Sequence, residues 1–148
     1  MLNNNINTKQ SKLNICSHCN PKKFLKFNFS FAKDYGTPTN EDILHFFERI
    51  KKFSSKPYEI LIYENQGNKK QFLEEIKCSE MKWKKGEKQI PTEFREFFPS
   101  ETNEKFAIFR VYPAGKPNGT ANPRIIGMIK HTIFYIFYFD WNGEIYEH

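Results

Sequence analysis

The 148 residues and 17.7 kDa of this chain suit one domain and leave little material for two independently stable cores. Hydrophobic residues make up 39%, including 16 Phe, 7 Tyr and 2 Trp, which supplies a bulky core and excludes wholesale disorder. Lys and Arg (23) outnumber Asp and Glu (17), and the resulting +6 favours a polyanionic partner over an acidic small molecule.

Residues 1–23 are rich in Asn and Lys and nearly free of aromatics, so they read as a flexible basic arm ahead of a single domain at 24–148. Within residues 1–35, six lysines stand against Asp34 alone, a local excess of +5. The N-terminus lacks the apolar centre of a secretory signal, and the three cysteines are too few for a disulfide scaffold. Both features predict a cytoplasmic location. The most apolar run, 132–139, has the length of a strand and ends at Asp140, so no membrane partner is expected.

From Phe24 onward, Phe27, Phe29 and Phe31 alternate strictly, which predicts one strand with all three on one face. Thr39 and Asp42 approximate a capping box, followed by Ile43, Phe46, Phe47, Ile50 and Phe53 at helical spacing. A second helix is predicted from Tyr58 to about Asn65, although its β-branched content also suits a strand. In the charged stretch 66–104, Phe72, Leu73 and Ile76 suit a helix, 77–85 reads as exposed strand or loop, and 91–98 carries a short helical pattern. Residues 106–112 form a buried-type strand, and 113–123 is punctuated by Pro and Gly. Residues 124–129 and 132–139 pair as a hairpin across Lys130-His131, and Asn142-Gly143 turns the chain back through Ile145 and Tyr146. The fold class is therefore α+β: an N-terminal strand, two helices and a C-terminal antiparallel β-meander, with the helices on one face. Trp83 and Trp141 are expected to be partly exposed.

The runs Asn122-Pro123-Arg124-Ile125-Ile126-Gly127, Ile133-Phe134-Tyr135-Ile136-Phe137 and Ile145-Tyr146-Glu147-His148, together with this element order, resemble the RelE/ParE-like toxin superfamily over roughly residues 105–148. The same ending is similar to that of small uncharacterised bacterial proteins. The resemblance implies a RelE-like fold and a toxin that cleaves mRNA on the ribosome without metal and is neutralised by a cognate antitoxin protein. It assigns Arg124 to the scissile phosphate, and Tyr146 and His148 to proton transfer. The superfamily's lysine-rich helix surface is not evident between Asp42 and Phe53, and the arm and charged insert make this chain longer. Because some members are gyrase poisons, the fold alone leaves the activity open.

RNA cleavage through the 2′-OH needs a base, cations around the phosphorane and an acid for the leaving oxygen. Arg, Lys, Tyr and His supply all three. The candidate catalytic residues are Arg124, Tyr146 and His148, and the candidate RNA-binding residues are Arg110, Lys130, His131, Lys22 and Lys23. The competing reading has solvated strand-end arginines and a frayed terminal histidine. Cys16-Ser17-His18-Cys19 is half of a zinc pattern whose second half is missing, with Cys78, His18, His45 or His131 available to complete it in space. Plain cysteines in a tail are the other reading, and neither metal nor cofactor is assigned. The aromatic runs fit core packing better than base stacking. Walker, dinucleotide-binding, His-Glu-x-x-His and Gly-x-Ser-x-Gly motifs are absent. The expected partners are RNA or the ribosome and an antitoxin. The alternative function is a non-catalytic accessory protein, such as an antitoxin, immunity or phage-defence component, that binds a protein or nucleic acid.

Overall fold

A computed structural model describes residues 23–63, 73–84, 90–99 and 104–147. Its centre is the hairpin of the two most apolar runs, β6 (Arg124–Lys130) and β7 (Ile133–Asp140), paired antiparallel along their lengths. The turn is His131-Thr132, one residue beyond the expected pair, with positive φ at both positions, 52° and 65°. Two left-handed residues match the twist of the flanking strands, which is why the turn settles there. β5 (Lys105–Arg110) pairs with β6, and β3 (Glu74–Lys77) pairs antiparallel with β5 at one edge. Ile76, read as helical in sequence, is thus in a strand, because the open edge of β5 satisfies its backbone.

At the other edge, β1 (Lys26–Asn28) and β2 (Lys33–Tyr35) lie end to end, both parallel to β7. They correct the expectation of one unbroken strand. The Asn28 side chain accepts the Ser30 amide, and the Ala32 amide donates to the Phe29 carbonyl, so the chain turns between them. Phe29 therefore lies against Phe46 and Phe139, while Phe31 packs on Phe94 and Tyr135 of the opposite core.

Among the described residues, three α-helices cover the sheet. α1 (Asn40–Ser54) begins with the predicted capping box, in which Thr39 Oγ1 accepts the Asp42 amide and Asp42 Oδ2 accepts the Thr39 amide. α1 and α2 (Tyr58–Tyr63) bury Phe46, Phe53 and Leu61 against Phe109, Ile125, Phe134 and Ile136. On the opposite face, α3 (Thr92–Phe97) places Phe94 among Phe106, Ile108, Ile126 and Phe137. The two predicted helices, α1 and α2, share one face as expected, and α3, from the stretch read only as a short helical pattern, covers the other. Strands apolar on both faces need cover on both.

Ile126 pairs with Tyr138 and Gly127 with Ile136, leaving Phe137 as an extra residue in β7. Through this bulge Phe137 and Tyr138 both serve the α3 core, and Phe139 returns to the α1 core. Gly127 lies beside it, where a Cβ would stand 2.0 Å from the Tyr135 carbonyl oxygen. After the Asn142-Gly143 turn the chain does not return to β7, whose edge is already taken by β2. Instead β8 (Tyr146–Glu147) pairs with β4 (Lys82–Trp83) as a separate two-stranded sheet. Trp141, expected to be partly exposed, is buried, with its indole N–H donating to Asp34 Oδ1 at 2.8 Å. No helix among the described residues is long and apolar enough to cross a membrane.

Candidate functional site

Two places gather chemistry at the same end of the sheet. The first contains part of the predicted set. Register puts Arg110 opposite Arg124 and Arg124 opposite Asp140, on the α3 face. Both arginines are half-buried, whereas Asp140 is buried, its Oδ1 accepting the Glu144 amide at 2.9 Å and its Oδ2 the Ile145 amide at 3.0 Å. Arg124 therefore has a like charge across the ladder on one side, which is unfavourable, and the Asp140 carboxylate across it on the other. The next residue after Ile145 is Tyr146, whose backbone is thereby held near the carboxylate that faces Arg124. The Tyr146 side chain and all of His148 lie outside the described residues.

The remaining predicted residues are elsewhere. Lys130 closes β6, about 20 Å along the strand from Arg124, and His131 is exposed in the adjoining turn. Lys23 is exposed, its carbonyl accepting the Tyr58 amide at 2.7 Å, while Lys22 lies outside the described residues. So does the Cys16-Ser17-His18-Cys19 motif. Among the described residues, no group of three His, Cys, Asp or Glu side chains is arranged to hold a metal ion.

The second place is a cleft of about 450 Å³ between α1 and the 111–117 loop, lined by His45, Glu48, Arg49, Lys52 and Tyr112 with Pro113 to Gly115 behind them. Positions 45, 48, 49 and 52 share one helix face, which is why one element supplies four of its side chains. Tyr112 is held from two sides. Its hydroxyl donates to Asp42 Oδ1 at 2.8 Å, and its backbone N–H donates to Asn122 Oδ1 while its carbonyl accepts from Asn122 Nδ2. Lys116 Nζ lies 2.9 Å from Asp42 Oδ1. Burial pushes the Asp42 carboxyl up, but hydrogen bonds from the Thr39 amide, Lys116 and Tyr112 outweigh it and hold the group down at about 2. Burial, followed by the hydrogen bond to Asp42, raises the Tyr112 phenol well above its ordinary value.

Arg49 is buried, with its Nε–H donating to the Arg110 carbonyl at 3.1 Å and its guanidinium 4.5 Å over the Phe53 ring. Burial lowers its pKa to about 10. The His45 and Tyr112 rings are 4.5 Å apart, and the His45 imidazole stands 3.5 Å from Glu48 and 3.7 Å from Glu41. The sequence reading missed this cluster. Its signal was Asp42 and Arg49 sharing the spacing of Phe46 and Phe53, since charged residues in a core-facing stripe require buried partners. Conversely Ile43 and Phe47, which belong to the same helical spacing as Phe46 and Phe53, are exposed, Phe47 at 60%. No family model, curated protein or solved structure matches this chain.

Proposed function

We propose that the protein is an RNA-directed endoribonuclease toxin of the RelE-like kind, with Arg124 as the cation at the scissile phosphate and Arg110 as its neighbour. The observation that carries this reading is the cross-strand pairing of Arg110 with Arg124. Two guanidinium groups at one end of a sheet suit a phosphate, which accepts bidentate hydrogen bonds from each. The strand, helix, helix, meander order supports the same reading, as does the bond of the Ile145 amide, one residue before Tyr146, to Asp140 Oδ2. In this reading Tyr146 and His148 move the protons of the reaction, and a cognate antitoxin covers the site.

Induced expression followed by primer-extension mapping of transcripts tests it. Wild-type protein is expected to cut mRNA and arrest growth, and Arg124→Ala to lower cleavage by about a hundredfold or more while retaining its thermal transition. Intact transcripts and unchanged growth on wild-type induction would remove the reading.

A second reading, a non-catalytic protein that docks on a partner protein, draws on a different observation. Ile43, Leu44 and Phe47 of α1, and Phe29, whose ring meets Phe46 of the same helix, expose apolar side chains at 38 to 61%. It expects no cleavage by wild-type protein, and a complex with a partner that Phe47→Glu disrupts and Arg124→Ala does not.

A further inference from the structure

We infer that the cleft between α1 and the 111–117 loop binds a mononucleotide unit, with the base against the His45–Tyr112 rings and the phosphate at Arg49 and Lys52. Its volume of about 450 Å³ falls within the range of small-ligand sites. The walls divide by chemistry. Val111, Pro113, Ala114 and Pro117 join the two rings in an apolar wall suited to a planar base, while Arg49 and Lys52 supply cations from the helix. Glu48 also lines the cleft, 3.5 Å from the His45 imidazole, and leaves the two helix cations in excess over carboxylate there.

Preorganisation separates this cleft from an incidental gap. The Tyr112 ring cannot swing freely, because Asp42 holds its hydroxyl and Asn122 holds both of its backbone polar groups. Arg49 is fixed by the Arg110 carbonyl at Nε and by the Phe53 ring on its face. A ring platform and a guanidinium that are already ordered lose little entropy when a ligand arrives. An anion at Arg49 also offsets the cost of holding a buried guanidinium charged. Phosphate fits better than a lone carboxylate, since its several oxygens and higher charge suit the half-buried Lys52 at the rim with the buried Arg49 charge behind it.

The ligand can be a free mononucleotide or one nucleotide of an RNA strand, and the two sources separate by titration. The site is independent of the cleavage reading, since its side chains lie on the α1 side whereas Arg110 and Arg124 share the α3 face. Isothermal titration of the full-length protein uses AMP, CMP, GMP and UMP, adenosine, inorganic phosphate and a five-nucleotide RNA.

At least one mononucleotide is expected to bind about tenfold or more tightly than adenosine or inorganic phosphate, because the ring wall and the cations each hold one part of it. Lys52→Glu, which alters a half-buried side chain at the rim rather than the core, is expected to weaken mononucleotide binding about tenfold and adenosine binding less than twofold. His45→Ala is expected to weaken both. A pentanucleotide that binds more tightly than every mononucleotide, with the same response to both variants, identifies the strand as the source; equal or weaker binding identifies the free nucleotide. Absence of heat with every mononucleotide and the pentanucleotide at millimolar concentration, or binding indifferent to both variants, would overturn the assignment. Loss of mRNA cleavage in Arg124→Ala with intact nucleotide binding would leave it standing.

Discussion

Asp42 is at once a helix cap, the acceptor for Tyr112 and the partner of Lys116, and its carboxyl is held at about 2 by those bonds. A depressed carboxyl contributes stability that is present above its unfolded pKa of about 4 and is lost as pH falls through about 2. Asp42→Asn is therefore expected to cost about 2 kcal/mol at pH 7 and progressively less toward pH 2, measured by urea unfolding at both values. Cys78 shows the opposite sign. Burial first, then the charge of Glu104, push its thiol up to about 11 against Arg95 and Lys130. Its contribution to stability is complete below pH 9 and disappears as pH rises through about 11. Site-resolved alkylation at pH 8 should find Cys78 reacting about a hundredfold more slowly than a free thiol of ordinary pKa.

At the level of elements, the β6–β7 hairpin holds both residues of its turn in the left-handed region, one of them the β-branched Thr132. Replacing His131-Thr132 by Asn-Gly relieves that strain and is expected to stabilise the protein by about 1 kcal/mol, read as a rise in Tm. If His131 contacts RNA, the same variant weakens RNA binding while gaining stability. Helix α1 presents two apolar faces with different fates. Phe46→Ala removes a ring packed among Phe29, Phe109, Phe139 and Trp141 and is expected to cost about 3 to 5 kcal/mol. Leu44→Glu changes a side chain 61% exposed and is expected to move stability by less than about 0.5 kcal/mol. Chemical denaturation of the two variants tests which stripe faces the core.

For the whole molecule, on the proposed RNA-directed reading the basic excess within residues 1–35 is expected to make RNA binding dependent on salt. A chain beginning at Lys23 keeps the carbonyl that receives the Tyr58 amide and is expected to unfold cooperatively, yet to bind RNA with a shallower salt slope than the full-length protein. Equal slopes would show that Lys9, Lys12 and Lys22 make no phosphate contacts. Much of the fold was legible from local pattern. The Thr39 capping box, the helical spacing through Phe53, the hairpin runs around Ile126 and Phe134 and the short helix ahead of Pro99 all follow from backbone needs and side-chain periods within a few residues. The candidate site was less legible, because Arg110 and Arg124 become neighbours only through strand register, and Asp42 meets Tyr112 across 70 positions of chain. The sequence by itself determined helix α1, the short helix α3 and the two hairpin runs, since those choices rest on interactions between near neighbours, whereas the strand at Ile76 depended on the open edge of β5. Tertiary structure alone decided that Phe31 crosses to the second core, that α3 covers the far face, that β8 leaves the occupied edge of β7 for β4, and that α1 turns Asp42 and Arg49 inward. Each of those outcomes depends on which edge or face remains open once distant segments have packed, and a local period does not contain that information.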